Sequence, residues 1–363
     1  MKFNDMLAKF VAKGASDIHL HTGLPPMYRV HGKMAPLSEG RLTPKITDAL
    51  VDIMCNEEQK AMFEAERQVD LAYTVPGVAR FRVNMFRQRG SVSAVLRVIN
   101  SDESQLAVVN LSQDMIEFFR DREKGIMLVT GPTGSGKSTT LCRIIDEINK
   151  VHEKMIITVE DPIEYLHRPK KSVIVQREIG PDALTFQKAL IGAMRQDPDI
   201  ILIGEIRDHA TAAAAIEAAQ TGHLVFGTLH TQDTVRTVNR VLDLFPPAER
   251  HTARLLFAES IVGILAQILL PKKGGGRVCA MEILKGNLRV RDLIKDEGRT
   301  NELYEVLKDS QAEGMQSMDQ AIADLYEQDK IDFQTGMMAA TSQQGFKMAA
   351  TQINERKKTA AAS

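Results

Sequence analysis

A glycine-rich segment carries the clearest chemical pattern in the chain. The sequence GPTGSGKS at residues 131–138, called here the phosphate loop, fits GxxxxGK[ST] and lies between an apolar segment and a helical one. Lys137 would place a cation beside the β and γ phosphates of a nucleoside triphosphate, and Ser138 would offer a hydroxyl to Mg²⁺. A glycine turn without a ligand does not explain the lysine, the serine and the flanking elements together. The predicted binding residues are Gly131, Pro132, Thr133, Gly134, Ser135, Gly136, Lys137, Ser138 and Thr139.

Carboxylates follow two apolar segments downstream of the phosphate loop. Glu160 ends MIITVE, and Glu164 comes just beyond it, where a carboxylate could accept a proton from an attacking water. Glu205 ends DIILIGE, but Gly204 stands where many phosphate-loop enzymes have a magnesium-holding aspartate, so Glu205 is expected to reach the metal through water. A helix cap or a surface ion pair is the alternative for each glutamate. The predicted metal-side residues are Ser138, Glu205 and Glu160.

Two histidines flank the next apolar segment, HLVFGTLH. His230 follows the strand, so it is either a core histidine bonded to the backbone or a group that faces the ligand. Its position on the same edge as the phosphate loop and the two acids favours the second interpretation. His223 precedes the strand, lies at the opposite edge, and needs a different role.

Apolar strands alternate with helical segments through residues 113–285, which predicts an α/β domain with a parallel sheet. Ligands of such sheets collect at the carboxyl ends of the strands. The mixture of helical and alternating apolar patterns in residues 1–100 predicts a small α+β domain. The polar run SDESQ falls in a predicted linker at 101–112. Residues 286–350 predict a helical region, and 351–363 a disordered tail.

Composition narrows the functional classes. The chain has 363 residues and a formal net charge of −1, which gives no general affinity for nucleic acid or an anionic membrane. Three separated cysteines suit a reducing compartment. The apolar run IVGILAQILL at 261–270 is about half the length of a membrane-spanning helix, so a cytoplasmic location is expected.

The motifs together resemble the secretion ATPases of type II secretion and type IV pilus systems. The similar segments are GPTGSGKST, VEDPIEY, MRQDPDIILIGEIRD, TGHLVFGTLHT and the N-terminal SDIHL with RVHG. The resemblance implies ATP and Mg²⁺ as ligands, a RecA-like domain, and a PAS-like N-terminal domain. It also implies that Glu164 activates water and that Glu205 is the acid on the magnesium side. His223 and His230 become a pair that couples nucleotide state to domain position, and Arg82 and Arg97 become phosphate contacts.

Within that family, LRVRDLIKDEGRT and EGMQSMDQAIADLY are similar to the PilT/PilU-type retraction branch. That branch implies a homo-hexameric motor for type IV pilus retraction, working at the cytoplasmic face of the inner membrane. The implied partners are an inner-membrane platform protein and a paralogous retraction ATPase. An accessory paralogue with partner-dependent hydrolysis is one alternative. A nucleic-acid translocase is another, although aromatic residues at 5% and the absence of tryptophan offer few stacking platforms for bases.

Overall fold

The computed structural model describes residues 2–30, 32–99, 106 and 111–362, with the side chains of 360–362 excluded. It divides into two compact units. The N-terminal unit consists of Met1–Ser101 and Pro162–Leu166, and the phosphate-loop unit consists of Asp102–Asp161 and His167–Ser363. The predicted linker at 101–112 lies outside the described residues, apart from 106, 111 and 112.

One six-stranded antiparallel sheet organises the N-terminal unit. Its elements are α1 (Phe3–Ala12), β1 (Asp17–His21), β2 (Met27–Val30), β3 (Lys33–Pro36), α2 (Pro44–Met54), α3 (Glu57–Glu66), β4 (Gln68–Val75), β5 (Ala79–Gln88) and β6 (Ser91–Ile99). The strand order is β3-β2-β1-β6-β5-β4. No strand or helix was predicted at β3, α2 or α3. The beginning of α3 is nevertheless local in origin, since Asn56 and Gln59 form a reciprocal capping box there.

Alternation along the strands gives this sheet two different faces. On one face Phe81, Val83 and Leu96 are buried in a single apolar cluster with residues of all three helices, including Phe10 and Phe63. The opposite face carries charged side chains at the intervening positions. The N-terminal unit therefore has its core on one side of the sheet only.

A seven-stranded sheet organises the phosphate-loop unit. Its first elements are α4 (Gln113–Arg120), β7 (Gly125–Thr130), α5 (Lys137–Val151), β8 (Met155–Glu160), β9 (Val173–Glu178), α6 (Phe186–Ala193), β10 (Ile200–Ile203), α7 (His209–Gln220), β11 (Leu224–Leu229), α8 (Thr234–Asp243), α9 (Pro247–Ser260), β12 (Ile261–Pro271) and β13 (Arg277–Lys285). The strand order is β13-β12-β7-β11-β10-β8-β9, and all neighbours are parallel except β12 and β13. The predicted α/β fold with a parallel sheet is confirmed.

The chain ends in helices, as predicted for residues after 285. They are α10 (Leu288–Lys295), α11 (Leu303–Asp309), α12 (Met318–Glu327), α13 (Phe333–Ala339) and α14 (Gln343–Ala362). The prediction of a disordered tail from residue 351 was wrong, because α14 continues through it. Phe346, Ala350 and Ile353 follow a helical spacing and are all buried. Among the described residues, no helix combines the length and the apolar character needed to cross a bilayer.

Candidate active site

The phosphate loop connects the carboxyl end of β7 to the amino end of α5. Two glycines fix the shape of this loop. Gly131 has φ +143°, and a Cβ atom there would lie 2.2 Å from the Gln267 carbonyl oxygen. Gly136 has φ +91° and precedes the first residue of α5, so the turn ends in a left-handed conformation that favours glycine. The exposed first-turn N–H groups of α5 consequently follow directly from the turn.

Lys137 folds back over the loop that precedes it. Its Nζ donates to the carbonyl oxygens of Gly131 at 2.9 Å and Pro132 at 3.2 Å, and it lies 3.5 Å from His230 Nδ1. Burial lowers the pKa of Lys137 below its ordinary value, although the charge of Glu205 opposes the change. The ammonium group is thus held inside the loop, where phosphate oxygens would replace the carbonyl contacts.

Glu205 and His230 meet at the carboxyl ends of neighbouring strands. Glu205 follows β10, His230 follows β11, and His230 Nε2 lies 3.2 Å from Glu205 Oε1. Arg207 donates to the other carboxylate oxygen at 2.6 Å. Burial works to raise the pKa of Glu205, but the Arg207 hydrogen bond and the nearby His230 outweigh it and leave the pKa below its ordinary value. Lys137, His230 and Glu205 therefore form one connected cluster.

Gly204 explains why the acid stands one residue later than in many phosphate-loop enzymes. A Cβ atom at Gly204 would lie 3.1 Å from the Glu160 Cα atom and 3.2 Å from the Val159 carbonyl oxygen. Thr228 on β11 also donates to the Gly204 carbonyl oxygen. These contacts leave little space for a side chain at position 204, and Glu205 is the next residue.

Glu160 lies at the end of β8 and is almost completely buried. Its Oε1 accepts hydrogen bonds from Thr158 at 2.7 Å and from Gln176 at 3.1 Å. The predicted metal-side carboxylate is therefore oriented by a hydroxyl on its own strand and an amide on β9. These contacts fix Glu160 more firmly than the sequence pattern indicated.

Three of the four remaining predicted catalytic residues belong to the N-terminal unit. Arg82 on β5 and Arg97 on β6 are direct cross-strand partners and both are exposed. Arg97 donates to Asp17 at 2.9 Å. Burial works to raise the pKa of Asp17, but the hydrogen bonds from Arg97 and Ser16 leave it below its ordinary value. Two guanidinium groups opposite each other repel, so this pair suits contact with an anion.

Glu164 lies in the short segment Pro162–Leu166, which also groups with the N-terminal unit. It is exposed, whereas its neighbours Ile163 and Tyr165 are buried. Alternation of buried and exposed positions directs the Glu164 carboxylate away from the residues that anchor the segment. The chain order alone, which places Glu164 four residues after β8, gave no sign of this grouping.

His223 is not near the cluster of Lys137, Glu205 and His230. It precedes β11, whereas His230 follows it, and a strand of that length separates them by about 20 Å. The His223 ring nitrogen Nδ1 lies 2.9 Å from the Ala218 carbonyl oxygen at the end of α7. The structure agrees with the expectation that the two histidines occupy opposite edges of the sheet.

Two polar residues near the site were not identified from the sequence. Arg207 follows Glu205 by two positions, and its charge just beyond a strand end was a usable signal. Gln267 is a single amide within the apolar run of β12, and it is 1% exposed. Its Nε2 donates to the Ser135 carbonyl oxygen at 2.7 Å, so it supports the phosphate loop from the neighbouring strand.

The residues of the loop suit a phosphate ligand with Mg²⁺. The Ser135 hydroxyl is buried and has no hydrogen-bond partner within the described part of the chain. An anion in the loop would provide an acceptor there and for the ammonium of Lys137. The oxygens of Ser138 and Glu205 are ligands that Mg²⁺ prefers, and this ion keeps several waters in protein sites.

Comparisons with known proteins identify the family of this chain. The sequence model of the family described as "Type II/IV secretion system protein" matches residues 1–330. The chain is similar to the type IV pilus retraction ATPase PilT of Pseudomonas aeruginosa, with 42% identity over 325 residues, 90% of this chain and 94% of the relative. It is also similar to the type IV pilus ATPase PilU of that organism, with 36% identity over 344 residues, 94% of this chain and 89% of the relative.

A solved structure gives the same result. The crystal structure of the pilus retraction motor PilT with bound ADP superimposes with a TM-score of 0.86 at 41% identity, covering 96% of this chain and 99% of that one. The resemblance predicted from the motifs is confirmed by these matches.

Proposed function

The chain belongs to the family of type II/IV secretion system proteins, and we propose that it is a Mg²⁺-dependent ATP hydrolase that powers type IV pilus retraction. The observation that carries the proposal is the cluster at the phosphate loop, where Lys137 contacts both the loop carbonyls and His230 while His230 contacts Glu205. The similarity to PilT over 94% of that relative's length supports the retraction role.

Each residue has a distinct task in the proposed reaction. Lys137 and the loop N–H groups bind and orient the triphosphate, while Ser138 and Glu205 hold Mg²⁺, with Glu160 behind them. When bound, Mg²⁺ neutralises charge on the phosphate oxygens. Glu164 accepts the proton of the attacking water at its carboxylate. His230 senses the phosphate end of the site through Lys137 and Glu205.

Arg82 and Arg97 make the reaction depend on the position of the N-terminal unit. Guanidinium groups that contact the phosphates stabilise negative charge in the transition state only when this unit has closed. Rigid-body rotation of the unit then follows each cycle. His223, at the opposite edge of the sheet, acts in this coupling and not in the chemistry.

The assembly and partners of the motor belong to the same proposal. Six chains form a ring at the cytoplasmic face of the inner membrane, contact a pilus platform protein there, and reach the membrane only through partners. A paralogous retraction ATPase is a further partner. The second candidate is that this chain is itself the accessory paralogue, because its similarity to PilU extends over 94% of its length.

The deciding experiment compares the wild type with Lys137→Ala and Glu164→Gln in steady-state ATP hydrolysis with Mg²⁺, after sizing chromatography. Turnover by the wild type alone, in a ring-sized fraction, together with lost twitching motility in cells carrying either variant, is the expected result. ATP binding without turnover, restored by adding the paralogue, would favour the accessory role. Absence of saturable ATP binding by the wild type would disprove both.

A further inference from the structure

A buried carboxylate lies outside the predicted catalytic set. Glu282 is in the middle of β13, opposite Ala266 of β12, and is 4% exposed. Apolar residues precede and follow it in the strand. A charge in such a place is costly unless hydrogen bonds satisfy it, so its contacts reveal what the residue does.

Glu282 accepts hydrogen bonds at the beginnings of two different helices. Its Oε1 accepts from the backbone N–H and the hydroxyl of Thr234, both at 2.8 Å. Its Oε2 accepts from the Met318 N–H at 3.3 Å. Thr234 is the first residue of α8, and Met318 is the first residue of α12. The amino ends of helices carry unpaired N–H groups and partial positive charge, which one carboxylate here satisfies twice.

These contacts suit a carboxylate that accepts, whereas burial favours the neutral acid. Burial raises the pKa of Glu282, and the charge of Asp233 adds to that effect, while hydrogen bonds from Thr234 and Met318 oppose it. In the hydrogen bonds from Thr234 and Met318, the neighbour donates and the Glu282 carboxylate accepts.

The first of the two helices begins just after the loop that carries His230. Thr231 and Thr237 hydroxyls lie 2.6 Å apart, Thr237 donates to the Asp233 carbonyl oxygen, and its hydroxyl lies 3.3 Å from that of Thr130 at the end of β7. The short loop 230–233 is thus tied to the first turns of α8 and to the strand that leads into the phosphate loop. The loop that carries His230 is therefore bonded to the start of α8.

The second helix is fastened to the same strand on both sides of Glu282. Gln316 and Ile283 exchange two backbone hydrogen bonds, at 2.8 and 3.1 Å, and Gln316 Nε2 donates to the Met281 carbonyl oxygen at 2.8 Å. The turn before α12 therefore moves with β13. Glu282 is the residue on this strand whose side chain reaches the starts of both helices.

We propose that Glu282 is a positioning residue that fixes the start of α8, and with it the His230 loop, and links that loop to the start of α12. Nucleotide-dependent movement of His230 would then reach the C-terminal helices through one side chain. This second part rests on the proposed ATP hydrolase function, whereas the positioning of the two helices does not.

The test uses full-length chains and hydrogen exchange of the amides in the first turns of α8 and α12. Glu282→Ala should speed exchange in both turns by about fivefold, the size of a lost cap. Glu282→Gln keeps an oxygen for Thr234 but turns an NH₂ toward Met318, so only α12 should exchange faster. Ser317→Ala is the matched control, because Ser317 caps α12 by itself through Gln320 and does not contact Glu282.

Steady-state kinetics and the response of amide exchange to ADP distinguish a positioning role of Glu282 from general destabilisation of the fold. Glu282→Ala should lower kcat about tenfold with KM for ATP nearly unchanged, and Glu282→Gln should restore most of kcat, since a transition-state contact has been displaced and not a binding contact. ADP should change α12 exchange in the wild type and in Ser317→Ala but not in either Glu282 variant.

Three outcomes would overturn parts of this inference. Faster exchange in only one helix of Glu282→Ala would disprove the double anchor. An ADP response in α12 that survives in both Glu282 variants would disprove the link. If the wild type shows no saturable ADP binding, the ATP hydrolase proposal fails, and the nucleotide-free exchange in the two first turns still decides whether Glu282 positions both helices.

Discussion

The two sheets of this protein place their polar residues in different ways. In the phosphate-loop unit, β7, β10 and β11 are buried along their whole length. Glu205 and His230 come just after strand ends, and Lys137 begins the helix that follows β7 and the phosphate loop. In the N-terminal unit, Arg82 and Arg97 stand in the middle of antiparallel strands, on the face without a core. In a parallel sheet covered by helices on both faces, only the ends of the strands are available for chemistry. A sheet with one uncovered face can also offer side chains along the strands.

The largest expected effect tests the uncovered face. Arg82→Ala or Arg97→Ala should lower kcat by about 10³-fold or more, because each removes a cation from the transition state. Nucleotide affinity of the phosphate-loop unit should change little, as measured by titration with a fluorescent ADP.

Arg29 supplies the matched control for these variants. It belongs to the same row of the sheet, since Asp17 is the cross-strand partner of both Arg29 and Arg97. Arg29→Ala should leave kcat close to that of the wild type. Equal losses in all three variants would mean that the face contributes only general charge.

A smaller effect is expected at Glu164. Glu164→Gln keeps the size and exposure of the side chain but removes its basicity, so kcat should fall by about 10² to 10⁴-fold. ATP binding should persist, because the predicted nucleotide-binding residues 131–139 lie in the phosphate-loop unit. Single-turnover hydrolysis and equilibrium binding check the two parts, and a variant that loses ATP affinity would contradict the assigned role.

On β12, the substitution Gln267→Leu should destabilise the phosphate loop. The Ser135 carbonyl oxygen would lose its donor in a buried place, which costs about 1–3 kcal/mol in the free energy of unfolding. Chemical denaturation measures this cost, and nucleotide titration should show weaker binding. Ile268→Val, one residue along β12, controls for loss of apolar volume and should leave nucleotide affinity unchanged.

The smallest effect concerns pH. The pKa of Glu205 is lower in the folded chain than its ordinary value of 4.5. Such a group adds stability above its unfolded pKa, and this contribution is lost as the pH falls through the folded pKa. The difference in unfolding free energy between the wild type and Glu205→Gln should therefore be greatest near neutral pH and shrink below about pH 4.5.

Denaturation at several pH values measures this difference. Glu123→Gln removes one negative charge from an exposed position and serves as the control. A difference between the wild type and Glu205→Gln that grows as the pH falls would contradict the ion pairing with Arg207 and His230.

Local patterns predicted the parallel sheet and its edge well. The phosphate loop is defined by residues adjacent in the chain, and the carboxyl ends of parallel strands must share an edge, so Glu205 and His230 could be placed together. Their direct contact, and the part played by Arg207 and Gln267, depend on side-chain directions and on which strands are neighbours. The spacing of residues along the chain indicates neither the side-chain directions nor the order of the strands.

Other features depended on distant parts of the chain. The segment with Glu164 follows β8 in sequence but groups with the N-terminal unit, which no local pattern indicates. The end of α14 is rich in charged residues and alanine and was predicted to be disordered. Phe346 and Ala350 of this helix pack in an apolar cluster with residues of α12, β12 and β13, and Ile353 is buried as well.

The close contacts around Gly204 restrict which amino-acid substitutions this position can accept in evolution. A single substitution that introduces aspartate there would push a side chain into the backbone of β8, whose atoms approach within 3.1 Å of the first carbon. An acid at position 204 therefore requires the backbone of β8 to shift by a few tenths of an ångström. Substitutions at Arg207, which is exposed and donates to the Glu205 carboxylate, can change the site more easily in evolution than substitutions at the strand end.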